Sequence, residues 1–543
     1  MILRWHGPQG ARDLAFQPGQ SLAAALTAAG ILALRQTRRD SPGRGLFCGM
    51  GVCQDCLVVV DGEPNQRACM TKARAGQQVA WQPYPAAAAT VSAGPMSDPP
   101  PVEACELLIL GGGAAGLSAA ITARRCGLDV VLVDERAVAG GQYYKQAAPG
   151  VTALDAQARE GAALVAAAEA SGATILRGAE AWGAFSADRI AIFDGSRTRM
   201  LAPAALIVAT GAQEAGLPLP GWTLPGVMTT GAAQTLWRSY RVTPGRRVLV
   251  AGNGPLNMQV ALELAAAGCH IVTVAEAAPL TNAAATLAML RADPGLALRG
   301  AGLLARMRRH GIPLRRGTHL LRVDQHGTAL RATLADNTSF NVDAVLMGYG
   351  FQPANEVLRA LGAAHDHDAA RGHLVTRRDA DGMTTVDGVY AAGDCAGLGG
   401  APAAREEGII AALAVARRLG RTPPADRRAI ARLARHRRFQ AALWRFFAAP
   451  HPGVSLADDT TLICRCEEVT KAEIATAMAD GTPSIGEVKR RTRCGMGRCQ
   501  GRTCAPILAA WLAETQGRPL DGMALFAPQA PIKPVAIADI AAR

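Results

Sequence analysis

Four cysteines near the start of the chain, Cys48, Cys53, Cys56 and Cys69, read C-x4-C-x2-C with a fourth after twelve intervening residues. That spacing suits a 2Fe-2S centre, whereas zinc sites usually pair two short C-x2-C units. Three thiolates so close in sequence reach one inorganic core only if the backbone curls around it, and Gly49 and Gly51 permit the curl. The run Leu57-Val58-Val59-Val60 followed by Asp61-Gly62 predicts a hairpin that brings Cys69 back to the loop.

A second cysteine-rich region lies at the other end, where Cys464 and Cys466 form C-x-C and Cys494, Cys499 and Cys504 follow. Five cysteines compete for four ligand places. The region resembles the bacterioferritin-associated-ferredoxin (BFD-like) type of 2Fe-2S domain, and the resemblance implies Cys464, Cys466, Cys499 and Cys504 as ligands. The second pair here is C-x4-C where that family's simplest members have C-x2-C. Cys494 therefore stays open as a replacement for Cys504, and a zinc knuckle stays open as the alternative centre.

Between the cysteine sets lies a phosphate cradle. Leu107-Leu108-Ile109-Leu110 reads as a buried strand, and Gly111-Gly112-Gly113-Ala114-Ala115-Gly116 places G-x-G-x-x-G at its turn into a helix. Gly111 makes the turn, Gly113 lets the backbone approach a pyrophosphate, and Gly116, beside Ala115, lets helix and strand pack. A second strand at residues 130–133 ends at Asp134 and Glu135, and Glu135 is the candidate for the ribose hydroxyls. Leu206-Ile207-Val208-Ala209-Thr210-Gly211 and Gly388-Val389-Tyr390-Ala391-Ala392-Gly393-Asp394 resemble the ATG and G-D elements of two-dinucleotide flavoproteins. The resemblance implies FAD held by Thr210, Gly211 and Gly393, with Asp394 on its ribityl or phosphate region. Gly141 and Gln142 join them, in a segment where disulfide reductases of this fold carry a C-x4-C pair. Dithiol exchange is not expected, because Gly140-Gly141-Gln142-Tyr143-Tyr144 has no cysteine. Cys126, Cys269 and Cys395 read as buried small hydrophobes.

A second, imperfect cradle follows in Val248-Leu249-Val250-Ala251-Gly252-Asn253-Gly254-Pro255-Leu256-Asn257. Gly252 and Gly254 fit a nucleotide turn and Pro255 suits a first helical turn, but Asn257 stands where a third glycine is usual. Glu276, at the end of the next strand, favours NAD or another adenine nucleotide over NADP. A vestigial packing role is the other reading of this unit.

The elements that must position these groups alternate apolar strands with Ala-rich helices, an α/β pattern. The fold expected is a glutathione-reductase-like flavoprotein with two dinucleotide-binding domains, flanked by an N-terminal ferredoxin-like and a C-terminal small helical 2Fe-2S domain. The boundaries read as 1–84 for the first cluster domain, 85–103 for a Pro- and Ala-rich linker, and 104–225 with 341–425 for the FAD domain. The inserted second unit takes 226–340, a basic helical connector 426–457, the second cluster domain 458–515 and a tail 516–543.

The chain has 543 residues, 49% of them hydrophobic, enough for several buried cores. Eight of its 13 cysteines fall in cluster motifs, and the first residues lack a signal-peptide apolar run, so a reducing, cytoplasmic setting is expected. No apolar stretch reaches the length of a transmembrane helix. The formal charge of +13 is spread over the whole sequence without a nucleic-acid motif, which excludes nucleic acid as a partner. The densest basic stretch, residues 427–445, reads as an amphipathic helix for peripheral membrane contact or for docking on its own protein.

The motifs Phe47-Cys48-Gly49-Met50-Gly51-Val52-Cys53-Gln54-Asp55-Cys56, Gly252-Asn253-Gly254-Pro255-Leu256 and Gly497-Arg498-Cys499-Gln500-Gly501 resemble the large subunit of heteromeric amine dehydrogenases. That group includes opine oxidase, hydrogen cyanide synthase, proline or hydroxyproline dehydrogenase and sarcosine oxidase α. The resemblance implies a partner flavoprotein of the D-amino-acid-oxidase type that oxidises an amine to an imine, an external electron acceptor, and possible FMN at the subunit interface. It also implies that a sequence ending near 543 lacks the folate-binding extension of sarcosine oxidase α. An NADH-dependent reductase like the front half of nitrite reductase, and a non-catalytic nucleotide-bound scaffold, are the rival functions.

Overall fold

Leu3 and Trp5 alternate with exposed residues along the strand Ile2–Gly7, so one face of that strand seeks a core. In the computed structural model, which describes all residues except 40, 41, 87–99, 153, 154, 480, 482, 542 and 543, this strand pairs antiparallel with Gly10–Ala15 and parallel with Gln78–Ala80. Leu57–Val60 and Glu63–Arg67 complete a five-stranded sheet covered by the helix Leu22–Ala28. Asp61 and Gly62 turn the expected hairpin with φ of 50° and 88°, the doubly positive pair of a type I′ turn.

The next sheet has seven strands. Its parallel part contains Val102–Leu110, Val130–Asp134, Thr174–Arg177, Thr198–Val208 and Val389–Ala391, extended by the antiparallel strands Glu180–Ser186 and Arg189–Phe193. The helices Ala114–Arg125 and Gly400–Arg418 pack without intervening side chains, since a Cβ on Gly408 would lie 2.1 Å from the Ala115 carbonyl oxygen. The linker expected at 85–103 falls mostly on 87–99, outside the described residues.

The second unit corrects the sequence reading at its return point. Ala344–Gly348 does not rejoin the first sheet but lies between Val227–Thr229 and Arg247–Gly252, in the order completed by His270–Glu276 and Leu314–Arg316. All five of its residues are buried, as a central parallel strand requires. The inserted unit thus runs past 341 to Gly348, and the chain crosses back where Phe351–Pro353 pairs with Ala212–Glu214.

The basic helix Arg427–Phe446 docks on its own protein. Phe439 and Ala442 join Met289 and Ala292 in a small core, while Arg432 meets Glu406 at 2.8 Å, Arg437 meets Glu407 at 2.9 Å and Arg435 meets Asp293 at 3.4 Å. The apolar side needed for peripheral membrane contact is spent on this packing. Among the described residues, no helix is long and apolar enough to cross a membrane.

In the C-terminal region, Thr470 with Glu473 and Ser484 with Glu487 form capping boxes that start the helices Lys471–Met478 and Ile485–Thr492, each cap contributing about 1 kcal/mol. A third helix, Cys504–Gln516, begins on a cysteine. The tail then wraps back onto the seven-stranded sheet, with Ile532 buried and its N–H donating to the Trp182 carbonyl at 2.7 Å.

Candidate functional site

The first cysteine set is entirely buried. Gly49 and Gly51 take φ of 62° and 81°, and the curl aims the Met50 and Cys53 amides at the Cys48 sulfur, at 3.5 and 3.4 Å. The adjacent Cys53 thiol and those amides pull the Cys48 thiol down to about 7. Cys53 interacts directly with Cys48, and Cys69 with Cys56, so the four thiols form two neighbouring pairs, the arrangement two irons require. The loop is anchored from outside: a Cβ on Gly49 would lie 2.9 Å from Ala232 Cα, and Arg67 meets Glu180 of the seven-stranded sheet at 2.9 Å.

At the other end all five cysteines converge. Cys466 and Cys499 sulfurs lie 3.3 Å apart, and the sulfurs of Cys464, Cys494 and Cys504 lie within 4.8 Å of one another. Gly497 is obligatory, because a Cβ there would sit 2.6 Å from the Cys466 sulfur. The geometry brings together the four residues chosen from sequence and adds Cys494 to them. Cys504 occupies the first turn of a helix, where the dipole favours a thiolate. We therefore expect Cys494→Ser to keep about four iron and four sulfide per chain, and Cys504→Ser to fall to about two of each, measured by metal and acid-labile sulfide analysis.

At the first glycine turn, Gly111 (φ 109°) lies so close to Ala209 that a Cβ would meet its carbonyl oxygen at 2.4 Å, and a Cβ on Gly116 would fall 1.8 Å from the Gly111 oxygen. Gly113 differs: its nearest neighbour is Gly141 Cα, at 3.9 Å from a Cβ placed there. This open cradle at the N-terminus of Ala114–Arg125 fits a pyrophosphate. Asp134 braces the turn, accepting from the Gly112 N–H at 2.6 Å and the Arg136 N–H at 2.7 Å. Gly140 N–H donates to the Gly112 carbonyl at 2.8 Å, which lays Gly141 and Gln142 across the turn. Glu135 pairs with Lys533 from the tail, a cation that sequence distance concealed. Thr210 donates to the Ala354 carbonyl at 2.6 Å, beside Gly211 at φ 74°. Asp394 accepts from the Gly399 and Gly400 N–H groups at 2.9 and 2.8 Å, and Gly393 N–H donates to Glu407 at 2.8 Å. Burial raises the Asp394 carboxyl above its usual range.

The second turn is differently employed. Glu276 is fully buried and accepts from Gly254 N–H at 3.0 Å, Ala278 N–H at 2.9 Å and the Asn253 amide at 3.1 Å; burial pushes its carboxyl up to about 7. Asn253 also donates to the Phe447 carbonyl at 2.8 Å, so the segment after the basic helix sits on this turn. Asn257 ties Gly348 and Thr230 together at 3.0 and 2.8 Å, while Gly252 backs onto Gly348, whose oxygen would lie 2.1 Å from a Cβ.

A cleft runs from the first cysteine set to Gly141, in the segment laid across the first glycine turn, and is lined by Cys69, Met70, Arg136, Gly141, Lys145 and Tyr240. Lys145 donates to Gln234 at 2.9 Å and to the Gly231 carbonyl at 3.2 Å, and burial pushes its amine down to about 7. No local sequence signal marks it.

Residues 105–408 match the family described as pyridine nucleotide-disulphide oxidoreductase. This chain belongs to that family. The flanks of the matched region match a 2Fe-2S iron-sulfur cluster binding domain over residues 12–84 and the sarcosine oxidase A3 domain over residues 459–543. Hydrogen cyanide synthase subunit HcnB of Pseudomonas aeruginosa is 33% identical over 453 residues, covering 79% of this chain and 96% of the relative. An opine oxidase subunit of Agrobacterium tumefaciens is 33% identical over 471 residues, covering 80% and 91%. The chain belongs to the group these two relatives define, as its motifs imply. The crystal structure of L-proline dehydrogenase from P. horikoshii has the same fold, with a TM-score of 0.74 at 20% identity over 99% of this chain and 97% of that one.

Proposed function

We propose that this chain is the electron-transfer subunit of a heteromeric dehydrogenase, which receives electrons from an amine- or amino-acid-oxidising flavoprotein partner and passes them through two 2Fe-2S centres to an external acceptor. The observation that carries this reading is the cleft between Cys69 and Gly141, on a chain whose relatives are named as subunits of hydrogen cyanide synthase and opine oxidase. FAD bound in the first unit supplies the exchange between two-electron and one-electron transfer. Around it, Gly111, Gly113 and Gly116 shape the phosphate cradle, Gly141 and Gln142 close over it, and Glu135 and Asp394 offer carboxylates for ribose and ribityl hydroxyls. Thr210, Gly211 and Gly393 shape the cradle's other wall. The residues we assign to metal are Cys48, Cys53, Cys56 and Cys69, then Cys464, Cys466, Cys499 and Cys504.

We assign the second dinucleotide unit a packing role, since Glu276 and Asn253 spend their hydrogen bonds on the turn itself and on the connector. FMN, where the complex carries it, belongs to the interface with the partner. The free thiols suit a cytoplasmic setting. The rival reductase reading needs hydride entry from NADH, and the Phe447 segment that Asn253 holds against the second turn disfavours it.

The test is reconstitution. The chain alone should oxidise no amine; with the partner it should give dye-linked oxidation of a substrate of the proline, hydroxyproline, sarcosine, glycine or opine class. Amine oxidation without a partner, or rapid NADH oxidation with no amine activity in any pairing, would overturn the proposal.

A further inference from the structure

Asp55 lies between Cys53 and Cys56, and Arg465 lies between Cys464 and Cys466. The two meet in the interior: Arg465 Nε donates to Asp55 Oδ2 at 2.7 Å, with Asp55 fully buried and Arg465 4% exposed. Arg465 Nη1 donates to the Trp222 carbonyl at 2.7 Å, and its guanidinium lies 3.7 Å from the centre of the Phe47 ring and 4.6 Å from that of Trp222. Phe47 immediately precedes Cys48. Trp222 Nε1 donates to the Leu462 carbonyl at 2.8 Å, two residues before Cys464. Arg35 holds the other side of Asp55, reaching Oδ1 at 3.1 Å and the backbone carbonyl at 3.0 Å. Cys48 and Cys53 share one hydrophobic core with Cys464, Cys494 and Cys504. The two cysteine sets are thus back to back, joined by residues adjacent to their ligands.

Charge points the same way. Arg35, Arg44 and Arg465 are buried around the carboxylates of Asp55 and Glu468, a positive surplus in the interior. Arg44 is 2% exposed, and its Nε and Nη2 have no hydrogen-bond partner among the described residues. A buried cation surplus is costly unless anions offset it, and thiolate-ligated 2Fe-2S centres are anionic. Hydrophobic residues of equal volume often serve stability as well as a buried ion pair does, so stability alone does not account for the pair; what it adds is a fixed, directional contact.

We infer that Asp55 and Arg465 are positioning residues that lock the two 2Fe-2S centres at one short separation, making them a single relay in the order first glycine turn, Cys48 to Cys69 set, Cys464 to Cys504 set. The inference rests on the proposed reading that both sets hold clusters. For each electron given up on the first side one is taken up on the second, with no bond changed and no proton moved. An external one-electron acceptor, of the dye or quinone class, then takes it. The positive surplus raises the reduction potentials, since potential follows the charge and hydrogen bonding around a cluster.

The test uses the full chain, first assayed for iron and sulfide, then reduced with dithionite for EPR power saturation and potentiometric titration. Unaltered protein with about four iron per chain should show each reduced centre relaxing faster in the presence of the other, an effect that Cys499→Ser abolishes. Arg465→Met should keep its iron, weaken that coupling and lower both midpoint potentials. Asp55→Asn, which keeps the shape and removes the negative charge, should raise them. A pair that supplied charge alone would shift the potentials and leave the magnetic coupling unchanged, whereas a positioning pair weakens the coupling in both variants, and Asp55→Asn carries the test should Arg465→Met fail to fold. Four iron without magnetic interaction, or potentials unmoved in both variants, would overturn this inference while leaving the two-cluster reading intact; about two iron in the unaltered protein would overturn both.

Discussion

Replacing Cys53 with serine should leave the flavin reducible and stop electrons from reaching the acceptor. Cys53 is buried against Cys48 in the core shared with the second cysteine set, and a serine hydroxyl is a poor substitute for a soft thiolate on iron. Iron should fall from about four to about two per chain, with one EPR signal lost and the other retained. The supporting fold should survive, since its sheet, its type I′ hairpin and the Ser21-capped helix Leu22–Ala28 need no metal to form. In the reconstituted complex, stopped-flow spectra should then show flavin reduction at its usual rate and acceptor reduction at background. Half the iron with undiminished acceptor reduction would place the first centre off the electron path. Loss of both EPR signals together would sink the picture of two independently formed centres.

The parts of this protein that are legible in sequence are those whose chemistry is local. Cluster ligands come in short groups, Cys48 to Cys56, Cys464 with Cys466, and Cys499 with Cys504, and the glycine turn, the Asp61-Gly62 hairpin and Pro255 at the start of its helix announce themselves over short windows. The long-range parts leave no such trace. Asp55 and Arg465 are separated by 410 positions, and each reads alone as an ordinary surface charge between cysteines. Lys533 reaches Glu135 across 398 positions and pairs with one oxygen, Oε2, of the carboxylate assigned to ribose. The strand Ala344–Gly348 is uniformly apolar, as any central parallel strand is, so its composition fits either sheet and a boundary drawn at 341 falls too early. Asn257 looks like a defect in a glycine motif. The structure gives it a task, because its amide joins the helix Pro255–Ala266 to Gly348 and Thr230, which a glycine could not do.

Gly113→Val should give a folded chain that holds both clusters and no flavin. The three glycines of the turn separate two kinds of damage. Side chains at Gly111 or Gly116 would strike backbone, at 2.4 Å from the Ala209 oxygen and 1.8 Å from the Gly111 oxygen, and such variants report on folding as much as on binding. At Gly113 φ is −85°, open to any residue, and among the described residues the only atom within 4 Å of a Cβ is Gly141 Cα at 3.9 Å. Valine there costs the helix cap about 1 kcal/mol, too little to unfold a domain with a seven-stranded sheet. Its methyl groups fill the space in which backbone N–H groups would meet a pyrophosphate. The expected protein therefore has an unaltered circular dichroism spectrum and about four iron per chain, but lacks the flavin absorbance bands and releases no FAD on denaturation. It should also fail to pass electrons from partner to acceptor, because the cleft at Cys69 would open onto an empty cradle. Full FAD content in a folded Gly113→Val chain would move the flavin out of the first dinucleotide unit.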